Sequence, residues 1–160
     1  MKNYFSSMLK EAISFSREES ERLNGNCIGT GHLLLAMIRQ DNSAVVAVLK
    51  SLQVELPELR KEIERVAETE KGVNPAIGKA KIFKFFSRPP RNSMALNAQA
   101  EKAIRESVLE AKQAKSEMVE TTHLMLSILK NTENRGTEIL GSFGVEYEKV
   151  AGQLRQAHSN

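Results

Sequence analysis

The chain has 160 residues, with 23 Lys and Arg against 20 Asp and Glu and a formal net charge of +3. Its 41% hydrophobic and 27% charged residues fit a globular chain and exclude a disordered tail. Cys27 is the single cysteine, which excludes a disulfide scaffold, and no apolar run approaches the roughly 20 residues of a membrane span.

In chain order, Phe5, Met8, Leu9, Ala12, Ile13, Ser16 and Leu23 recur at helical spacing and predict one face of a first helix, stopped by Asn24-Gly25-Asn26. Thr30 is the expected N-cap of a short, largely buried helix, His32-Leu33-Leu34-Leu35-Ala36-Met37-Ile38. Asp41-Asn42-Ser43 predicts a turn and cap before Val45, Val46, Val48, Leu49 and Leu52, a β-branched run better read as a short helix than as a strand. Pro57 suits a first helical turn, and Leu59, Ile63 and Val66 carry a fourth helix. The pattern lapses from about Thr69 to Ser93. It resumes with Leu96, Ala100, Ala103, Ile104, Ser107, Val108 and Ala111. Thr121 is then the expected cap of His123-Leu124-Met125-Leu126-Ser127-Ile128-Leu129, and two further helices follow through Ile139, Leu140, Phe143, Val145, Val150 and Leu154.

These blocks are copies. A shift of 91 positions, the separation of His32 and His123, superimposes them without a gap. Ala12 meets Ala103, Ser16 meets Ser107, Glu19 meets Glu110, Thr30 meets Thr121, Leu35 meets Leu126, and Val54-Glu55 meets Val145-Glu146. Caps, turns and apolar faces staying aligned together predicts an all-α fold. It is a four-helix unit written twice, with the halves packed about a pseudo-two-fold axis. The expected organisation is repeat one over 1–68, a basic Phe-containing linker over 69–93 and repeat two over 94–160, forming one compact domain.

The run Ile28-Gly29-Thr30-Gly31-His32-Leu33-Leu34-Leu35-Ala36-Met37-Ile38, with its second copy at Val119-Glu120-Thr121-Thr122-His123-Leu124-Met125-Leu126, resembles the Clp N-terminal repeat domain. That domain fronts Clp ATPases of the ClpC and ClpA type and occurs alone in accessory proteins such as the plastid ClpT proteins. The resemblance implies an eight-helix receptor that takes adaptors or protein substrates for an ATP-dependent unfoldase–protease, with Clp ATPase and protease components as partners. It implies no catalysis. Two departures stand out. ClpC-type domains usually carry glutamate between the Thr and the His, an acid that helps to bind phosphoarginine; here the positions hold Gly31 and Thr122. Neither pairs with a guanidinium, which argues against phosphoarginine reading, although Thr30 and Thr121 keep hydroxyls and helix-start N–H groups that suit a phosphate. The middle segment is also longer than the usual family linker.

That middle segment has no acidic residue between Lys71 and Ala100 but contains Lys71, Lys79, Lys81, Lys84, Arg88 and Arg91, so the rest of the chain is mildly acidic. Ile82-Phe83-Lys84-Phe85-Phe86 holds three of the six phenylalanines, and Pro75, Pro89 and Pro90 forbid a continuous helix. Three readings stay open: a linker packed over the seam between repeats, a docking strip for an acidic partner surface, and a nucleic-acid contact. No nucleic-acid module spacing supports the third.

No G-x-x-x-x-G-K-[ST] phosphate loop occurs in the chain, so ATP hydrolysis is not expected of it, and no cofactor is expected. His32 and His123 read as structural histidines hydrogen-bonded near the helix starts rather than as ligands or bases. Cys27 has no third ligand at metal spacing, and a catalytic Cys27–His32 pair lacks an orienting group. The methionines, Met8, Met37, Met94, Met118 and Met125 among them, are expected as core gap-fillers. The candidate binding residues are therefore Thr30, Gly31, His32, Thr121, Thr122 and His123 at the helix starts, with Phe83, Lys84, Phe85, Phe86 and Arg88 in the strip. Early acids at Glu11, Glu18 and Glu19 and the lack of an apolar signal core favour a cytoplasmic location over a targeted one. The alternative function is a basic helical protein that binds nucleic acid or acidic surfaces through the middle segment.

Overall fold

The computed structural model describes residues 4–69 and 94–159. Among these are eight helices: α1 (Ser7–Arg22), α2 (Thr30–Arg39), α3 (Ala44–Ser51), α4 (Leu56–Thr69), α5 (Ala98–Gln113), α6 (Thr121–Lys130), α7 (Arg135–Ser142) and α8 (Tyr147–Ser159). The all-α expectation holds.

The duplication extends to individual hydrogen bonds. Ser6 Oγ accepts from the Leu9 N–H at 3.1 Å to start α1, and Asn97 Oδ1, its counterpart, accepts from the Ala100 N–H at 2.9 Å to start α5. Ser43 and Asn134 do the same for α3 and α7. Each such cap satisfies one of the orphan donors of a first turn. The helix ends repeat as well. Asn24 (φ 58°) matches Lys115 (φ 55°), and Gln53 (φ 61°) matches Gly144 (φ 76°). Each residue turns left-handed just past a helix. The following N–H then closes on a carbonyl five residues back, as Gly25 does on Ser20 at 2.7 Å and Ser116 on Ala111 at 2.9 Å. Sequence marks two of these positions, Asn24 within the Asn24-Gly25-Asn26 stop and Gly144, but not Gln53 or Lys115.

The repeats are joined reciprocally. Strand β1 (Tyr4–Phe5), ahead of α1, pairs in parallel with β2 (Met118–Val119), ahead of α6, with Phe5 opposite Val119. The mirror contact is a parallel bridge between Leu96, ahead of α5, and Ile28, ahead of α2. The Ser6 N–H donates to the Val119 carbonyl at 3.0 Å, and the Asn97 N–H donates to the Ile28 carbonyl at 2.8 Å. Phe5 and Leu96 thus belong to extended arms and not to the helices their spacing suggested. An arm commits its backbone to the other repeat, which competes with helix continuation.

At the centre, α2 and α6 are buried on every side from Thr30 to Ile38 and from Thr121 to Leu129. Around them the cross-repeat contacts come in matched pairs: α2 with α7 and α6 with α3, α4 with α7 and α8 with α3. Gly136 on α7 permits one of these approaches. A Cβ there would stand 3.1 Å from Leu34 Cδ1 and 3.2 Å from Ile128 Cγ2. Leu33, Leu35, Leu124 and Leu126 are core, as expected. Among the methionines, Met37 and Met125 are buried and Met8 and Met94 half-buried. Met118 is 40% exposed, which corrects the expectation of a core role: in β2 it alternates with the buried Val119 and faces outward.

Candidate functional site

The two helix starts are built alike. Gly29 precedes α2 and Glu120 precedes α6, so Thr30 and Thr121 are first helical residues and not the caps their type suggested. The histidine one turn in does the capping. His32 Nδ1 accepts from the Gly29 N–H at 2.9 Å, and His123 Nδ1 accepts from the Glu120 N–H at 2.9 Å. This is half of the reciprocal arrangement a Glu or Gln makes at the same position. Both rings are therefore structural, in keeping with the sequence reading.

An accepting Nδ1 places the proton of neutral His32 on Nε2. That atom is buried and has no hydrogen-bond partner among the described residues. Burial pushes the imidazole pKa down to about 4; the Glu19 carboxylate opposes the shift and Arg22 adds to it. The ring is neutral at pH 7.

Thr30, Gly31, His32, Thr121, Thr122 and His123 are all buried. Gly31 faces α4, where a Cβ would meet Ile63 Cγ2 at 3.5 Å and Ala67 Cβ at 3.6 Å. What solvent meets near these starts is therefore their surroundings. Beside the second start, Tyr4 on β1 is 62% exposed and stands opposite Met118 on β2. Sequence reasoning missed this apolar pair, because arms of two residues are too short for alternation to be read. Phe83, Lys84, Phe85, Phe86 and Arg88, with most of the basic segment, lie outside the described residues.

A buried acid underlies each repeat. Glu19, 3% exposed, holds Arg22 at 2.7 Å and has Arg60 at 3.6 Å and Arg39 at 3.8 Å. Glu110, its counterpart, has Lys130 at 3.3 Å and accepts from the Tyr147 hydroxyl at 2.7 Å. Partial burial, then the bond to Glu110, raises the Tyr147 pKa to about 12. These groups tie α1, α2 and α4 together in one repeat and α5, α6 and α8 in the other. Each carboxylate is occupied by its partners, which suits structure better than proton transfer.

Comparison with known proteins agrees with this geometry. The model of the Clp repeat (R) N-terminal domain matches residues 4–82 and 95–160. The chain is 26% identical over 152 residues to the chaperone protein ClpB of Oceanobacillus iheyensis, covering 95% of this chain and 17% of that protein. It is 25% identical over 150 residues to a probable ATP-dependent Clp protease ATP-binding subunit of Chlamydia pneumoniae, covering 94% and 16%. It thus spans about a sixth of the length of these curated relatives. Its fold is similar to the N-terminal domain of the caseinolytic protease associated chaperone ClpD from Arabidopsis thaliana, with a TM-score of 0.64, 16% identity and 94% of each chain covered. The Hsp104 N-terminal domain from Candida albicans superposes with a TM-score of 0.68 and 16% identity, over 94% of this chain and 89% of that one. With two matched repeats, reciprocal arms and histidine-capped helix starts, the chain belongs to the Clp repeat N-terminal domain family.

Proposed function

We propose that the chain is a non-catalytic receptor domain of an ATP-dependent Clp unfoldase–protease system, binding adaptors or protein substrates. It works either at the front of a Clp ATPase or as a stand-alone accessory protein, in the cytoplasm. The observation that carries this reading is the family match across both repeats, set on a body in which the buried His32, His123, Glu19 and Glu110 are engaged in structural hydrogen bonds and ion pairs. The binding surfaces are those flanking the two helix starts, with the exposed Tyr4–Met118 pair beside the second, together with the strip Phe83, Lys84, Phe85, Phe86 and Arg88 between the repeats. Phosphoarginine is not part of the reading. Gly31 and Thr122 supply no acid, and the hydroxyl-bearing Thr30 and Thr121 are buried.

The test is affinity capture with the intact chain, at 50 and at 200 mM salt as rough reference conditions. Recovery of a Clp ATPase, a protease subunit or an adaptor at both is expected. Recovery of none of these, with DNA retained only at low salt, would replace this reading with the nucleic-acid one.

A further inference from the structure

The two repeats differ beside α5 and α6. A cavity of about 360 Å³ opens there, lined by Lys102, Glu106, Leu109, Lys130, Asn131 and Glu133 among others. In repeat one the same positions hold Glu11, Phe15, Glu18, Arg39, Gln40 and Asn42, and there several of these side chains engage one another. The Arg39 guanidinium stands 4.0 Å above the Phe15 ring, and its Nη1 lies 2.7 Å from Glu18 Oε2. Gln40 donates to Glu11 at 3.0 Å and to the Met8 carbonyl at 2.9 Å.

Repeat two keeps only the Asn131 tie of this set, its amide donating to Gln99 Oε1 at 3.3 Å. Phe15 becomes Glu106, Glu18 becomes Leu109, and Arg39 becomes Lys130, which turns to the buried Glu110 instead. Leu109 is left 53% exposed. Glu106 and Glu133 make no ion pair among the described residues. With Glu110, the lining carries three carboxylates against two lysines, and the C-terminal end of α6 adds partial negative charge.

We infer that this cleft docks an arginine-bearing apolar segment of another protein. The guanidinium meets Glu106 and Glu133, and apolar surface next to it covers Leu109. An outside segment then supplies what Arg39 and Phe15 supply inside repeat one. A guanidinium suits the site better than a bare ammonium, because it lies flat on apolar surface while bonding carboxylates. The inference deepens the receptor reading and rests on it.

The probe is a fluorescein-labelled nonapeptide with arginine at its centre and leucines beside it, compared with the same peptide carrying citrulline. Anisotropy with the intact chain is expected to show binding that weakens at least tenfold with citrulline, and by a similar factor in the E106Q/E133Q variant. The E106F/L109E/K130R variant, which rebuilds the repeat-one packing, is expected to abolish it. Circular dichroism on each variant checks that the fold persists, and amide shifts in the intact chain are expected to cluster on Lys102–Leu109 and Lys130–Glu133. No binding of the arginine peptide, equal binding of the citrulline peptide, or shifts centred on Tyr4 and Met118 would overturn the inference. Self-association lost in E106Q/E133Q would do so too, by making the occupant a second copy. If the peptide fails while Clp components are still captured, the cleft falls alone; if both fail, the receptor reading falls with it.

Discussion

Glu19 and Glu110 occupy the same place in the two repeats, yet one sits among three arginines and the other beside a lysine and a tyrosine hydroxyl. The acid and the capping histidine stayed with the fold while their partners changed. Elements that fix a helix start are shared because both halves need them. Elements that seal the flank are not shared, and so repeat one closes on itself while repeat two presents an open face. The two copies share the frame and differ at this flank.

The comparison breaks first in the core. Leu33 and Leu124 are both fully buried at equivalent positions. Leu33→Ala and Leu124→Ala are each expected to cost about 2–5 kcal/mol in urea unfolding. Costs that differ widely would show the repeats to be unequally packed.

Next is His32. Its folded pKa, about 4, lies below the unfolded value of 6.5, so the unfolded chain takes up a proton that the folded chain refuses. The stability tied to this group is complete above pH 6.5 and is lost as pH falls toward 4, by roughly 3 kcal/mol. His32→Gln keeps an acceptor for the Gly29 N–H and removes the titration. Unfolding across that pH range is expected to show a shallower slope in the variant, and an unchanged slope would refute the assignment.

Smaller effects sharpen the contrast between the acids. Glu19→Gln is expected to cost about 2 kcal/mol, since a charge-assisted arginine pair is lost, and Glu110→Gln about 1 kcal/mol. The second variant should also bring the Tyr147 titration down from about 12, read by ultraviolet absorbance. Smallest is Tyr147→Phe, at about 1 kcal/mol or less in the same unfolding assay.

Much of the fold was legible because helical spacing, turns and a shift of 91 positions all agree. The arms were not legible. Phe5 and Leu96 sit at spacings that continue the helices behind them, and only the partner strand, distant in sequence, decides otherwise. Thr30 and Thr121 carry the right chemistry for caps but lie one residue inside the helix, with Gly29 and Glu120 at the cap position and their N–H groups held by a histidine from within the first turn. Burial of the helix starts was hidden for a further reason. The neighbours that cover Gly31, Ile63 and Ala67, come from α4, over thirty residues away. The cleft left a trace in the alignment of the repeats, where Phe15 falls on Glu106 and Glu18 on Leu109. Apolar and acidic residues trade places there, yet only three dimensions show that a cavity lies beside them.

The crossed arms have a consequence for how the molecule assembles. Phe5 waits for Val119 and Leu96 for Ile28, so each half is finished by a residue belonging to the other. Contacts of such long sequence separation form late and slow the search. Each quartet is completed by its twin, and the two are expected to melt as one body. The duplicated gene thus encodes, on a single strand of peptide, what two separate copies would otherwise have to meet in solution to build.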